Sequence, residues 1–196
     1  MPKIVSEHEK EMVRKAMYIK GIELIRQKGV KRVTVDDIAA AAQIGKGTFY
    51  AYYSSKEHFL YAIIKQAEQW LFARVEEVLA GQLGKKQRIL KALKEIYLAA
   101  DSIVLAVTPE DIEYLLRKLP SEVEDWEARK SNDYFARTAA LCDIDPAHCN
   151  PAVLAHLMEA LHYMLSSGQQ TETAERAQAI DIMVETIAAY MAGERS

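Results

Sequence analysis

Apolar side chains recur along most of the chain at intervals of three and four residues, which is the spacing of one face of an α-helix. The first such stretch lies between Ser6 and Lys28. Its apolar stripe consists of Val13, Met17, Gly21, Leu24 and Ile25. No segment has the alternating pattern of a convincing strand, and only 8 Gly and 5 Pro interrupt the 196 residues. The pattern predicts an all-α protein of about nine helices.

Two short apolar patterns follow the first helix. Thr34 is a candidate N-cap, and Asp37, three residues later, completes a capping box. The stripe behind this cap predicts a helix of about two turns. Residues 43–45 interrupt the pattern, and residues 46–53 predict a second short helix. Two short helices joined by a three-residue turn and braced by a longer helix form a helix-turn-helix module.

The rest of the chain is predicted to form longer helices. Ser54 and Ser55 are candidate caps for a helix that extends to about Ala80, and Ser54 and Glu57 have the spacing of a capping box. Pro109 and Pro120 fit the first turns of later helices. The further predicted helices cover about residues 89–107, 109–119, 120–143, 154–165 and 177–191.

The second short helix carries the side chains that a helix in the DNA major groove needs. Four positions offer hydrogen-bond donors: Lys46, Thr48, Tyr50 and Tyr52. Phe49 and Tyr53, four residues apart, are predicted to face the core. Lys56 can reach a phosphate beside the N-terminal amides of the next helix. We therefore expect the module to bind double-stranded DNA, as a homodimer whose two recognition helices read a palindromic operator.

These residues resemble the DNA-binding domain of TetR-family transcriptional repressors over about the first sixty positions. The matching runs are residues 34–39, 42–50 and 53–60. The most specific parts are Gly-Thr-Phe-Tyr at 47–50 and Ser-Lys-Glu at 55–57. The resemblance implies a ligand-responsive transcriptional repressor.

Functional roles are implied at the matching positions. The side chains implied to contact phosphates are Thr48, Tyr50 and Lys56, with Thr34 capping its helix near the DNA backbone. The residues implied to read bases are Lys46, Gly47 and Tyr52. The family usually has Gly where this chain has Gln43, and Ser where it has Gly45. We therefore expect a left-handed glutamine, which costs about 1 kcal/mol more than Gly, and a helix cap without a side-chain acceptor.

The resemblance also implies a division of the chain into an N-terminal three-helix DNA-binding domain, residues 1–53, and a C-terminal helical bundle, residues 54–196, for ligand binding and dimerisation. A small apolar or aromatic effector is implied to enter the bundle and release the DNA. The candidate pocket residues are Tyr97, Tyr114, Trp126, Tyr134 and His162, although aromatic residues at helical spacing belong more often to a core. The implied dimer interface comprises Leu154, Leu157, Met158, Leu161, Leu165, Ile180, Val184, Ile187 and Met191.

The charge distribution supports this division. The formal net charge is only −3. Residues 1–60 hold 11 basic and 7 acidic side chains, a balance of +4, whereas the remaining residues have a balance of −7. The predicted DNA-binding end is therefore the cationic end.

Other classes of protein have less support. No apolar run has the length of a membrane span or a secretory signal, so we expect a cytoplasmic protein. The chain lacks the common nucleotide, metalloprotease and nucleophile motifs, so no enzyme, metal or cofactor is expected. Cys142 and Cys149 are interpreted as ordinary thiols, with a redox switch left open. The alternative function is a helical small-molecule-binding protein, or an enzyme, without a role in DNA regulation.

Overall fold

The computed structural model describes residues 6–99, 102–123, 140–145, 147–166 and 173–194. These residues are helical or irregular, with no strand among them, so the all-α prediction is confirmed. They contain eight α-helices: α1 Glu7–Lys28, α2 Val35–Ala41, α3 Lys46–Tyr52, α4 Lys56–Leu79, α5 Lys85–Ala92, α6 Pro109–Lys118, α7 Pro151–Ser166 and α8 Ala174–Ala192. The helix predicted for about 120–143 falls largely outside the described residues.

The start of α4 differs from the predicted capping box. The helix begins at Lys56, so Ser55 is the capping residue, and its Oγ accepts a hydrogen bond from the His58 N–H at 3.1 Å. Ser54 Oγ lies instead 2.5 Å from His58 Nδ1. The prediction of a box between Ser54 and Glu57 was therefore wrong by one residue, because two successive serines give the same cap signal in sequence.

The helix predicted for about 89–107 was also wrong at its C-terminal end. The α-helical part stops at Ala92 and continues as one π-helical turn, Leu93–Tyr97. In that turn the Leu98 N–H donates to the Leu93 carbonyl at 2.8 Å. A bond five residues apart does not extend the α-helical ladder, which uses partners four residues apart. Ile103–Leu105 forms a separate 3-10 turn.

The chain forms two compact units, and the predicted boundary between residues 53 and 54 remains a prediction. The first unit consists of the described residues within Met1–Gln69 and Ala106–Trp126. In it α1 packs on α2 and α2 packs on α3, while α6 contacts the 3-10 turn Val30–Arg32. The second unit consists of the described residues within Trp70–Leu105 and Glu127–Ser196, where α8 packs against α5 and α7.

A glycine allows the close approach of α1 to α4 in the first unit. A Cβ atom at Gly21 would lie 2.6 Å from Ile63 Cδ1 and 2.6 Å from Phe59 Cζ. Real Cβ atoms do not tolerate such distances, so a larger residue would force the ends of the Ile63 and Phe59 side chains to shift. This packing supports the base of the helix-turn-helix, because Phe59 also contacts the ring of Phe49 on α3.

Candidate nucleic-acid interface

The turn between α2 and α3 has the geometry that the sequence predicts. Gln43 has a φ of 55°, in the left-handed region. The Ile44 N–H donates to the Ala39 carbonyl at 2.9 Å, and the Gln43 N–H donates to the Ala40 carbonyl at 3.2 Å. These two bonds form the Schellman arrangement that satisfies the last carbonyls of a helix. The left-handed glutamine therefore ends α2 and turns the chain into α3.

The start of α2 is also capped as predicted. Thr34 Oγ1 accepts from the Asp37 N–H at 3.2 Å, and the Asp37 carboxylate accepts from the Thr34 N–H at 3.0 Å. Lys28 Nζ lies 2.6 Å from the same carboxylate. The hydrogen bonds from Lys28 and Thr34 hold the pKa of Asp37 below its ordinary value. Asp37 thus ties the first turn of α2 to the end of α1.

One aromatic side chain anchors α3 to the first unit. Phe49 is fully buried, with its ring 5.6 Å from the ring of Phe59 and 5.9 Å from that of Tyr53. The ring of Tyr50 meets it edge-on at 5.3 Å, but Tyr50 is 56% exposed. This anchor determines which side of α3 faces outward. The exposed residues on that side are Lys46, Gly47, Thr48 and Tyr50.

Lys46, at the start of α3, forms an ion pair across the turn. Its Nζ lies 2.6 Å from Asp36 Oδ1, and both side chains are about two-thirds exposed, at 62% and 66%. The hydrogen bond with Asp36 raises the pKa of Lys46, so the lysine is charged at neutral pH. Gly45, the N-cap of α3, makes no side-chain cap bond, as expected.

Tyr52 does not share the exposed side of α3. It is partly buried, and the Arg14 guanidinium lies 5.5 Å from the centroid of its ring. Its hydroxyl approaches the Lys10 carbonyl at 3.5 Å. The tyrosine therefore packs against α1, whereas Lys46, Gly47, Thr48 and Tyr50 lie together on the outward side. A base-reading role for Tyr52 remains a prediction.

Lys56 is engaged within the protein. Its Nζ donates to the Lys31 carbonyl at 3.0 Å and to the Val33 carbonyl at 2.8 Å. Both carbonyls belong to the connection between α1 and α2, immediately before the Thr34 cap. The side chain that the family resemblance assigns to a phosphate thus holds the connection that positions α2.

Replacing Lys56 with methionine should lower the free energy of unfolding by about 1–2 kcal/mol, because two carbonyls lose a charged donor. Chemical denaturation followed by circular dichroism measures this loss. Lys31→Met is the matched control, since it removes a neighbouring exposed lysine and leaves the Lys31 carbonyl in place; it should change stability by less than about 0.5 kcal/mol. Unchanged stability in Lys56→Met, together with a salt slope of DNA binding lower by about 0.9, would instead assign Lys56 to a phosphate.

The predicted effector-pocket residues are not gathered at one place in the described parts of the chain. Trp126, Tyr134 and the side chain of Tyr97 lie outside the described residues, and His162 is partly buried on α7. The Tyr114 hydroxyl donates to Glu57 Oε1 at 3.1 Å, a contact between α6 and the first turn of α4. Burial, followed by the bond to Glu57, raises the pKa of Tyr114.

The second unit also has a small cleft that the pattern analysis missed. It has a volume of about 150 Å³ and is lined in part by Lys85, Asp145, His148 and Cys149. His148 Nδ1 lies 2.6 Å from Asp145 Oδ2, and Lys85 Nζ donates to the Asp143 carbonyl. Periodicity could not identify this cleft, because its residues come from loops and helix ends.

The predicted dimer residues divide into two groups. Five are buried within the single chain, in the core of the second unit: Leu154, Leu161, Val184, Ile187 and Met191. The other four are partly buried against that core: Leu157, Met158, Leu165 and Ile180. The same two helices expose Val153 by 45% and Ile182 by 59%. The apolar stripes therefore identify the side of α7 and α8 that faces their own core.

The two cysteines have the environment of unreactive thiols. Cys142 and Cys149 are both buried in the second unit. Burial raises the pKa of Cys142 to about 11 and raises that of Cys149. Because the thiolate is the reactive form, both groups are poor nucleophiles at neutral pH.

The described parts of the chain contain no group of three side chains arranged to hold a metal ion. None of the helices described is both long and apolar enough to cross a membrane.

Comparison with known proteins gives matches centred on the helix-turn-helix. Residues 20–63 match the family model of bacterial regulatory proteins, tetR family. The transcriptional regulator AcuR of Cereibacter sphaeroides is 37% identical over 71 residues, 35% of this chain and 32% of that protein. The transcriptional repressor KstR2 of Mycolicibacterium smegmatis is 34% identical over 56 residues, 29% of this chain and 27% of that protein. The chain thus spans about a third of the length of these curated relatives.

Solved structures extend the likeness to the whole fold. A TetR family regulator from Marinobacter aquaeolei aligns with a TM-score of 0.59 at 18% identity, covering 93% of this chain and 98% of that one. A TetR regulator from Streptococcus agalactiae aligns with a TM-score of 0.54 at 20% identity, covering 96% and 98%. The all-α fold and the arrangement of α2 and α3 define a helix-turn-helix protein. The helix-turn-helix segment thus matches the TetR family of bacterial regulatory proteins over residues 20–63, and the fold is similar to those of solved TetR-family proteins.

Proposed function

We propose that this protein is a transcriptional repressor that binds a palindromic DNA operator as a homodimer in the cytoplasm. The observation that carries the proposal is the two-sided structure of α3. The buried ring of Phe49 anchors one side, while Lys46, Thr48 and Tyr50 stand exposed on the other. A short helix presented in this way fits the major groove and offers donors to phosphates and base edges.

The outward residues divide into two roles. Thr48 and Tyr50 contact phosphates on either side of the groove, and Thr34 lies near the DNA backbone at the start of α2. Lys46 and Gly47 face the bases. No heavy atom lies within 4 Å of where a Cβ of Gly47 would be, so the backbone at this position can approach a base edge closely.

The homodimer places two copies of α3 about 34–36 Å apart, one turn of DNA. We assign the dimer contact to α7 and α8, as the family resemblance implies. The exposed apolar side chains Val153 and Ile182 support a contact outside the core of the single chain. Leu161 and Ile187 stabilise those helices within the core of the second unit, since both are fully buried.

Effector control acts through α4 in this proposal. A small apolar or aromatic molecule binds in the C-terminal bundle and displaces α4, which lowers operator affinity. The hydrogen bond between Tyr114 and Glu57 supports a link from α6 to the first turn of α4. A thousandfold drop in affinity requires about 4 kcal/mol of differential effector binding between the two states.

Selection from random duplexes, followed by fluorescence anisotropy, tests the DNA-binding proposal. The wild type should enrich an inverted repeat and bind it more weakly as salt increases. Tyr50→Phe should weaken binding to every duplex by a similar factor, because a phosphate contact carries no sequence information. Lys46→Ala should change the preferred base within each half-site. Failure of the wild type to enrich any duplex would favour the alternative of a ligand-binding helical protein.

A further inference from the structure

A carboxylate stands beside the proposed base-reading end of α3. Asp36 is the second residue of α2, and its Oδ1 lies 2.6 Å from the Nζ of Lys46, the first residue of α3. The N-terminal residues of a recognition helix are those that contact base edges. The carboxylate is therefore within one side-chain length of the base-reading position.

The fold does not depend on this carboxylate. The start of α2 is already capped by Thr34 and Asp37, and the bond between Asp37 and Lys28 ties α2 to α1. Both members of the Asp36–Lys46 pair are about two-thirds exposed, and exposed ion pairs contribute little to stability. By pairing with Lys46, this carboxylate offsets a positive charge that would otherwise be available to phosphates.

We propose that Asp36 is a specificity-determining residue that makes Lys46 selective between operator and non-operator DNA. This proposal rests on the proposed function. On non-operator DNA, no base-edge acceptor lies at the matching position, so the lysine stays with Asp36 and its charge is withheld from the phosphates. On the operator, Lys46 donates a hydrogen bond to a base edge, and its ion pair with Asp36 orients the lysine side chain. The carboxylate therefore weakens non-specific binding more than operator binding.

The variant Asp36→Asn tests this proposal, because it keeps the shape of the side chain and removes its charge. The probes are the operator selected with the wild type and a scrambled duplex of equal length, each titrated at several salt concentrations. We expect affinity for the scrambled duplex to rise about 3- to 10-fold near 0.1 M salt, with a salt slope steeper by about 0.9. Operator affinity should change by less than about twofold, so discrimination between the duplexes should fall.

A second arm identifies Lys46 as the group that Asp36 restrains. In a Lys46→Ala background, Asp36→Asn should raise affinity for the scrambled duplex by less than about twofold. Glu23→Gln is the matched control. It removes the carboxylate of another ion pair of the first unit, in which Lys20 Nζ lies 2.8 Å from Glu23 Oε2 on α1 and the side chains are 43% and 44% exposed. This control should leave both affinities unchanged.

Two results would overturn the proposal. One is an Asp36→Asn variant in which both affinities change by the same factor, so that discrimination is unaltered. The other is a variant that loses operator affinity alone, which would mean that Asp36 itself contacts a base. If the wild-type protein selects no duplex, the proposed function is refuted instead. The selection with the wild type is therefore carried out before the variants are measured. The melting temperature of each variant, monitored by circular dichroism, verifies that the proteins compared are folded.

Discussion

Replacing Phe49 with alanine should lower the free energy of unfolding by about 3–5 kcal/mol and abolish detectable DNA binding. The ring is fully buried and contacts the rings of Tyr53 and Phe59. Its removal leaves a cavity between α3 and the helices that support it, so the orientation of α3 is lost together with packing energy. Chemical denaturation and anisotropy with the selected operator measure the two effects.

The adjacent residue is the natural control for this prediction. Tyr50→Ala removes a ring of similar size that is 56% exposed and meets Phe49 only at its edge. Its cost should be about 1 kcal/mol, the value of an exposed aromatic pair, while operator binding should still weaken through loss of the proposed phosphate contact. A Phe49→Ala protein with the stability and operator affinity of Tyr50→Ala would contradict the assignment of Phe49 as the anchor.

Placing a charge at Leu161 should unfold the second unit, whereas the same charge at Ile182 should dissociate the proposed homodimer. Leu161 is fully buried among apolar side chains of the second unit, so Leu161→Arg must bury an unpaired guanidinium or open the core. The expected cost is at least about 3–5 kcal/mol. Ile182 is 59% exposed on α8, so Ile182→Arg leaves the core intact. Thermal melting and sedimentation velocity separate the outcomes.

Each variant serves as the control for the other. Ile182→Arg should sediment as a folded monomer with weaker operator binding, because a single α3 buries too little surface on DNA. A folded Ile182→Arg dimer would place the dimer contact elsewhere. A folded, monomeric Leu161→Arg would show that Leu161 faces the partner subunit, as the apolar stripe alone suggested.

Local sequence signals were sufficient for most of the helix-turn-helix. The cap of α2 by Thr34 and the inward ring of Phe49 agree with expectation from the sequence, and the left-handed Gln43 agrees with what the family resemblance implied. Each depends on residues within about one helical turn, where hydrogen bonding and steric limits act without help from the rest of the fold. The choice between Ser54 and Ser55 as a cap was less secure, because both have the required hydroxyl.

Apolar periodicity identified the helices α7 and α8, but not which of their sides pack into the core of the same chain. The stripe that includes Leu161 and Ile187 is the side that packs into its own core, while Ile182 lies exposed on another side of α8. A helix that is apolar on more than one side contains no local signal for which side meets the core and which meets a partner. The prediction of the effector pocket was limited for a related reason. Its candidate residues are distant in sequence, so no local pattern indicates whether they meet in the fold.

The fold class, the helix-turn-helix and its exposed donors follow from short-range chemistry, because caps, turns and helical stripes involve neighbours in sequence. Tertiary packing decided which partners the charged groups at the proposed DNA interface have within the protein. It gave Lys56 two carbonyl acceptors on the connection before α2, and it set Asp36 against Lys46 across the turn. A lysine carries the same charge wherever it occurs. Its partner depends on which parts of the chain meet after folding.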